Sequence, residues 1–442
     1  MKVVSTLHDL TQKVGANSKS FPTLPAFKQA SGSRLYAQSG NVFLDLAFTT
    51  YSNLLGHNIS SIQQAIITAA NHLPPLDNSI EHTEIQSVYN SVNLLLPEHI
   101  KTSLICNHES QAIDAAIKMA FLYWEAQDMP DKTKLIGFAH AHHGYSLGVS
   151  SLNASNRVYQ PLAPLATDCE LIPYPSTWLN DNHIEHKESL AYQRLEQYLE
   201  EHHHDCCAMV VEPLIQSHNG MQICRPSFLE KVAKLIKTYD ILIIADERFT
   251  GLYRTGKFLA SDLLELSPDL CVLGNTLTNN TLPCGIVATG ENIRNTLDRK
   301  LVNPNFIKSH GQQTTAYTLA AIQATLAIVT AANTQKHLQN IQDIHKTKVH
   351  WLSRKPIVRN TRFLGTIAAF DIICERHNQQ KALQLWFQQA CMDNQLLLAM
   401  HNSSIFIIPP FCMSAEDLQE VYIKVDKILA ALPLHYITPP VN

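Results

Sequence analysis

The chain predicts an α/β fold with a mostly parallel central sheet covered by helices, and a smaller α+β lobe beside it. Three observations carry this. The short continuous apolar runs at Val210-Val211 and Ile241–Ala245 read as parallel strands buried on both faces. Between them, Ser227–Tyr239 places Leu229, Val232, Ala233 and Ile236 at helical spacing, which makes the stretch a strand–helix–strand crossover. From about residue 320 onward, two long helical patterns surround a strand-like Thr366–Ile373, and the apolar run Ile405–Ile408 precedes Pro409-Pro410.

The remaining elements follow in order. Ser110–Trp124 reads as a helix because Ile113, Ala116, Ile117, Ala120, Phe121 and Trp124 fall on one stripe. His202-His203-His204-Asp205, followed by Cys206-Cys207, invites a metal reading, but no second ligand pair stands at a zinc-like spacing. The alternative is the polar end of a helix entering the strand Ala208–Glu212. The ten cysteines are scattered without Cys-x-x-Cys spacing and read mostly as buried thiols rather than disulfides. The sequence has no internal repeat, low-complexity tract or Gly/Ser linker.

At 442 residues the chain can bury one large core and a smaller lobe. A net charge of -4 gives no electrostatic case for nucleic acid or an anionic membrane. No apolar run approaches the ~18–20 residues of a membrane span. The start, Met1–Asp9, turns polar too soon for a signal peptide, so the expected location is the cytoplasm. Histidine is frequent, with 22 residues. Glycine, at 15, is about half as common as the usual ~7%.

Several motifs now combine. They are Ala115–Ala126, Val211-Glu-Pro213 with Gln216 and Gly220-Met221, Ala245-Asp-Glu247 with Thr250-Gly251, and Arg254-Thr-Gly-Lys-Phe258. Leu273-Gly274, His310-Gly311 and Pro409-Pro410 follow. This string resembles the class III (fold type I) aminotransferases, which depend on pyridoxal phosphate, and within them the diaminopelargonic acid aminotransferases of biotin synthesis. The likeness runs over roughly residues 20–435. It implies an N-terminal segment (1–50) that joins the small domain, a large domain over 51–320 and a C-terminal small domain over 321–442. It also implies a homodimer. Enzymes of this fold use glycine where backbone must approach the cofactor phosphate, so the glycine shortage points to eroded cofactor loops.

The resemblance assigns site positions one by one. Asp246, at the end of a buried strand, is the carboxylate that would pair with the pyridine nitrogen, unless it only caps the strand. His142 takes the place of the aromatic that stacks on the cofactor ring, and its alternative is a loop histidine facing solvent. His108-Glu109-Ser110 matches the phosphate turn before a helix, where backbone N–H groups and the helix dipole favour an anion. Glu109 replaces a glycine there. If it points inward, its charge ~4–6 Å from a phosphate costs several kcal/mol at an effective dielectric of about 20. A threonine from the partner subunit aligns with Gln313, with Thr314 and Thr315 adjacent.

Two positions break the pattern outright. Asn275 stands where the family lysine forms the Schiff base and moves the proton, and a carboxamide has no titratable group. Ala399 stands where an arginine grips the substrate carboxylate, and no arginine follows Arg376 in the sequence. Asn275, Glu109 and Ala399 drift in one functional direction. The leading expectation is therefore an aminotransferase-like protein that has lost normal transamination and acts as a dimeric scaffold, with an active paralogue as one conceivable partner. Two alternatives stay open. One is an active enzyme with altered chemistry, and the other is a carrier or sensor that holds pyridoxal phosphate non-covalently; on the leading expectation the cofactor is bound non-covalently at best or not at all.

Overall fold

A computed structural model describes residues 24–46, 51–72, 83–153, 155, 157–265, 267–300, 314–374, 377–433 and 436. Its centre is a seven-stranded sheet in the order Ile100–Cys106, Gly285–Gly290, Leu270–Leu273, Leu242–Asp246, Cys206–Val211, Lys134–Phe138, Cys169–Ile172. Gly285–Gly290 runs antiparallel to both of its neighbours, and the remaining strands share one direction.

The apolar runs form strands here because both faces are covered. Leu242 and Ile244 pack with Ile113, Ala116 and Ala120 of the helix Glu109–Ala126. Ile243, one residue out of step, packs with Leu229, Val232 and Ile236 of the helix Pro226–Thr238 on the other face. This is the period-two alternation of a pleated strand with no polar face. The histidine run ends the helix Ile184–His202 and forms a single helical turn, His203–Asp205, before the strand Cys206–Val211. It is therefore the polar helix end of the second sequence reading.

A second sheet, antiparallel in the order Val358–Leu364, Ile367–Ile372, Ser404–Ile407, Ala399–His401, lies in the C-terminal part. The N-terminal strand Val42–Asp45 pairs in parallel with Leu396–Leu397, joining the two ends of the chain. Arg254 fastens the C-terminal part to the large sheet. Its buried guanidinium donates to Thr366 Oγ1 at 3.3 Å, to Pro409 O at 3.1 Å and to Tyr51 O at 3.3 Å. Gly365, with φ +57°, turns directly against the backbone of Arg254 and Thr255, where no Cβ would fit.

All ten cysteines are free thiols, and eight of them are buried. Among the described residues, no single helix is long and apolar enough to cross a membrane. The consecutive helices Ala316–Val329 and Ala332–Leu352 reach that hydropathy only together, across a 65° bend.

The fold places its chemistry-bearing residues along one edge. The strands Ile100–Cys106, Lys134–Phe138, Cys206–Val211, Leu242–Asp246 and Leu270–Leu273 end there. They deliver His108-Glu109, His142-His143, Glu212, Asp246 and Asn275 respectively. Crevices at the carboxyl ends of parallel strands are where α/β sheets bind ligands.

Candidate functional site

A cavity of about 460 Å³ opens at this edge, with Glu109, Ser110, His142, His218, Asp246 and Arg248 among its walls. Asp246 and Glu247 diverge as the strand ends. Glu247 turns into the protein, where it accepts from Ser261 N at 2.8 Å, Ala260 N at 2.9 Å and Ser261 Oγ at 2.9 Å. Asp246 turns to the cavity, and Arg248, two residues on, comes back to the same side.

Both oxygens of Asp246 are taken by these neighbours. Oδ1 accepts from Arg248 Nε at 2.7 Å and from Arg248 N at 3.3 Å. Oδ2 accepts from Arg248 Nη2 at 2.7 Å and from His143 Nδ1 at 2.9 Å. Burial pushes the Asp246 pKa up, but the Arg248 charge and these hydrogen bonds outweigh it and hold the carboxyl well below the usual range. Burial also opposes the charge on Arg248, and the Asp246 carboxylate overcomes it, so the guanidinium stays firmly protonated. Side-on Arg–carboxylate pairing of this kind is strong and geometrically specific.

Glu212 organises the adjoining wall. Its Oε1 accepts from Ser217 Oγ at 2.7 Å and Ser217 N at 3.0 Å, and its Oε2 accepts from His142 N at 3.0 Å. The His142 ring is half-buried and packs on His218 with centroids 3.8 Å apart and an interplanar angle of 35°. Burial, then the charge of the neighbouring His218, lowers His142 to about 3. Burial, then Arg248, lowers His218 to about 4. Both imidazoles are neutral at pH 7. His142 is thus a wall residue held by its neighbours, not a loop histidine facing solvent.

The helix N-terminus is capped from within. His108 is its N-cap, and its Nδ1 accepts from Ser110 N at 3.1 Å, which takes up that backbone donor and leaves the ring's Nε2 as the imidazole donor. Glu109 points inward. Its Oε2 accepts from Asn275 N at 3.0 Å, and Gly274 is the residue that lets this carboxylate and the Arg248 side chain approach the chain so closely. Asn275 opens a short helical turn, and its Oδ1 accepts from Cys284 N at 3.0 Å, bracing the loop back to the antiparallel strand.

Two expected site positions lie apart from this group. Thr314 is buried, with its hydroxyl donating to Ile105 O at 3.4 Å. Ala399 sits half-buried in a strand opposite Phe406 and is not among the cavity walls. Gln313 and His310-Gly311 lie outside the described residues. Sequence reasoning missed Arg248, His218 and the Glu212–Ser217 pair. The signal for Arg248 was present, since a cation two residues after a strand-ending aspartate lies within its reach.

Pyridoxal phosphate would need a carboxylate for its ring nitrogen, N–H donors for its phosphate and an amine for its aldehyde. Here the carboxylate is paired with Arg248 and His143, the Ser110 N–H is taken by His108, and Glu109 adds negative charge. Asn275 presents a carboxamide at this edge, not an amine. In this arrangement the residues do not fit the cofactor.

The comparisons with known proteins agree with the fold. The class III aminotransferase profile matches residues 15–429. An adenosylmethionine-8-amino-7-oxononanoate aminotransferase from Synechococcus elongatus is 30% identical over 399 residues, covering 90% of this chain and 93% of the relative. A protein of the same name from Helicobacter pylori is 27% identical, covering 94% of each. Among solved structures, a PLP-bound amine transaminase from an uncultivated Pseudomonas species superposes with a TM-score of 0.82 at 21% identity, covering 93% of this chain and 96% of that one. The adenosylmethionine-8-amino-7-oxononanoate aminotransferase of Methanocaldococcus jannaschii also reaches 0.82, at 20% identity, covering 93% and 94%. With its fold type I architecture and a match over nearly its whole length, the chain belongs to the class III aminotransferase family and is related to the adenosylmethionine-8-amino-7-oxononanoate aminotransferases.

Proposed function

We propose that this chain is a class III aminotransferase-fold protein without normal transaminase activity, acting as a homodimeric scaffold. The observation that carries the reading is Asn275. Its carboxamide oxygen braces Cys284 and its N–H faces Glu109, so the position has become part of the loop architecture. A carboxamide neither forms a Schiff base nor moves a proton at neutral pH. Among the described residues that line the cavity there is no lysine.

The large sheet and its helices keep a dense apolar core on both faces. A sequence that retains its packing while its reactive positions change fits a role in binding another protein, either a second copy or an active paralogue, in the cytoplasm. The family and its PLP-bound structural neighbour support a cofactor-type site at this edge of the fold. The residues of this chain argue against a covalent cofactor there.

The alternative of altered chemistry has only a weak foothold on the cavity wall. His142 and His218 are imidazoles there, but with pKa values lowered to about 3 and about 4 they are poor bases at pH 7. The test is turnover. Purified protein supplied with pyridoxal phosphate, a panel of amino donors and a keto acceptor should give no amine transfer above a protein-free control. Sustained transfer would support the altered-chemistry reading and end the scaffold one.

A further inference from the structure

We infer that Arg248 is a built-in occupant of the cofactor-ring subsite and excludes pyridoxal phosphate from the wild-type chain. This deepens the reading above and rests on it, because loss of the covalent bond and loss of the cofactor are separate properties. A family member lacking its lysine could still hold the cofactor through the ring nitrogen and the phosphate. Arg248 and Glu109 are the residues that deny it both.

The ring end is decisive. A carboxylate offers about four acceptor positions, and Asp246 already receives three donations from Arg248 and one from His143. A protonated ring nitrogen would have to displace the guanidinium, which is itself held on several sides. Arg248 Nη2 also lies 3.4 Å from His142 O. A Cβ on Gly144 would stand 3.2 Å from Arg248 Nη1, and a Cβ on Gly274 would stand 2.9 Å from Arg248 Cβ. These glycines let two loops close around the arginine. Its side chain is only 9% exposed, so it is a packed part of the site.

The phosphate end points the same way. The inward carboxylate of Glu109 repels a dianion, and the charge of Arg248 that could have offset this is spent on Asp246. His142 packs on His218, so a ring entering the cavity would also have to part that pair.

The test is equilibrium dialysis of the full chain against pyridoxal phosphate, with pyridoxal and inorganic phosphate as parallel probes, for wild type and Arg248→Ala. Wild type should show no saturable retention. Arg248→Ala should bind pyridoxal phosphate at least about 10-fold more tightly, and its melting temperature should rise with added cofactor while that of wild type does not. Pyridoxal should follow the same trend, because the block is at the ring. If the alanine variant does not fold, Arg248→Gln replaces it and keeps a polar head without the charge. Saturable wild-type binding, or equal affinities of wild type and a folded variant, overturns the proposal. So does a gain seen only with inorganic phosphate, which would place the effect of Arg248 away from the ring subsite. None of these readouts requires turnover. Wild-type retention of the cofactor without amine transfer therefore defeats this inference and leaves the scaffold reading standing, whereas amine transfer defeats the scaffold reading.

Discussion

The carboxylate of Glu109 accepts the backbone N–H of Asn275 at 3.0 Å, which ties the first turn of the helix Glu109–Ala126 to the turn that follows the strand Leu270–Leu273. The two positions are therefore coupled. On the function proposed above, Glu109 takes the space that a glycine in a phosphate turn would leave open, and it does so by covering the position expected for the Schiff-base lysine.

It follows that Asn275→Lys alone will not restore transamination. The Glu109 carboxylate, already bonded to the N–H of residue 275, would draw the introduced ammonium into an ion pair, while Asp246 stays occupied by Arg248. The change also removes the Asn275 Oδ1 bond to Cys284 N, which costs about 1 kcal/mol. The expected result is a folded, slightly less stable protein with no amine transfer in a coupled assay. Activity appearing in the single variant would show that the neighbouring positions do not matter.

Arg248→Ala should be strongly destabilising without ligand, by about 3–5 kcal/mol, because it leaves the buried Asp246 charge with His143 as its remaining partner. Chemical denaturation of wild type and variant at pH 7 measures this. A loss below about 1 kcal/mol would mean that the pair is not an integral part of the packed site.

Gly144→Ala should cost about 1–3 kcal/mol. Gly144 has φ +109°, and the added methyl would meet Arg248 Nη1 and Ser110 Oγ at 3.2 and 3.3 Å. The paired variant Gly144→Ala with Arg248→Ala should lose less than the sum of the two single losses, since one clash has been removed. Strict additivity would contradict the close approach.

His142 and His218 predict a specific acid sensitivity. Their folded pKa values, about 3 and about 4, lie below the ordinary value of 6.5. The unfolded chain therefore binds more protons than the folded one between these limits. The stability tied to these neutral rings is complete above pH ~6.5 and is lost as pH falls toward 4 and then 3. Glu212 and Glu247 are raised by burial and act in the opposite sense, so the comparison must be with a variant. His142→Asn with His218→Asn should lose less stability than wild type between pH 7 and pH 4.5. Parallel pH profiles would contradict the assignment.

The large sheet was legible because its strands are apolar on both faces and its helices carry one clear stripe, as Ile243, Ile244, Leu229 and Ile113 illustrate. The strand Val358–Leu364 was harder to see, since Arg359, Asn360 and Arg362 interrupt its apolar pattern. Arg362 is nonetheless buried, because it donates to Met221 O at 2.9 Å and to Asp371 Oδ1 at 3.0 Å. At the site, the residue types at 109, 246 and 275 could be read directly. Their directions could not, because whether Glu109 turns outward or inward depends on the N–H of a residue 166 positions away. Arg248 was overlooked for a related reason: its signal is its spacing after the strand-ending Asp246, and its role depends on where that strand stops.

The account is tested most directly by a single-turnover measurement. Wild-type protein at high concentration is incubated with one equivalent of pyridoxal phosphate and an excess of amino donor, and formation of pyridoxamine phosphate is followed by chromatography. The account predicts no formation above the protein-free control. One equivalent of pyridoxamine phosphate per chain, formed faster than in buffer, would contradict it.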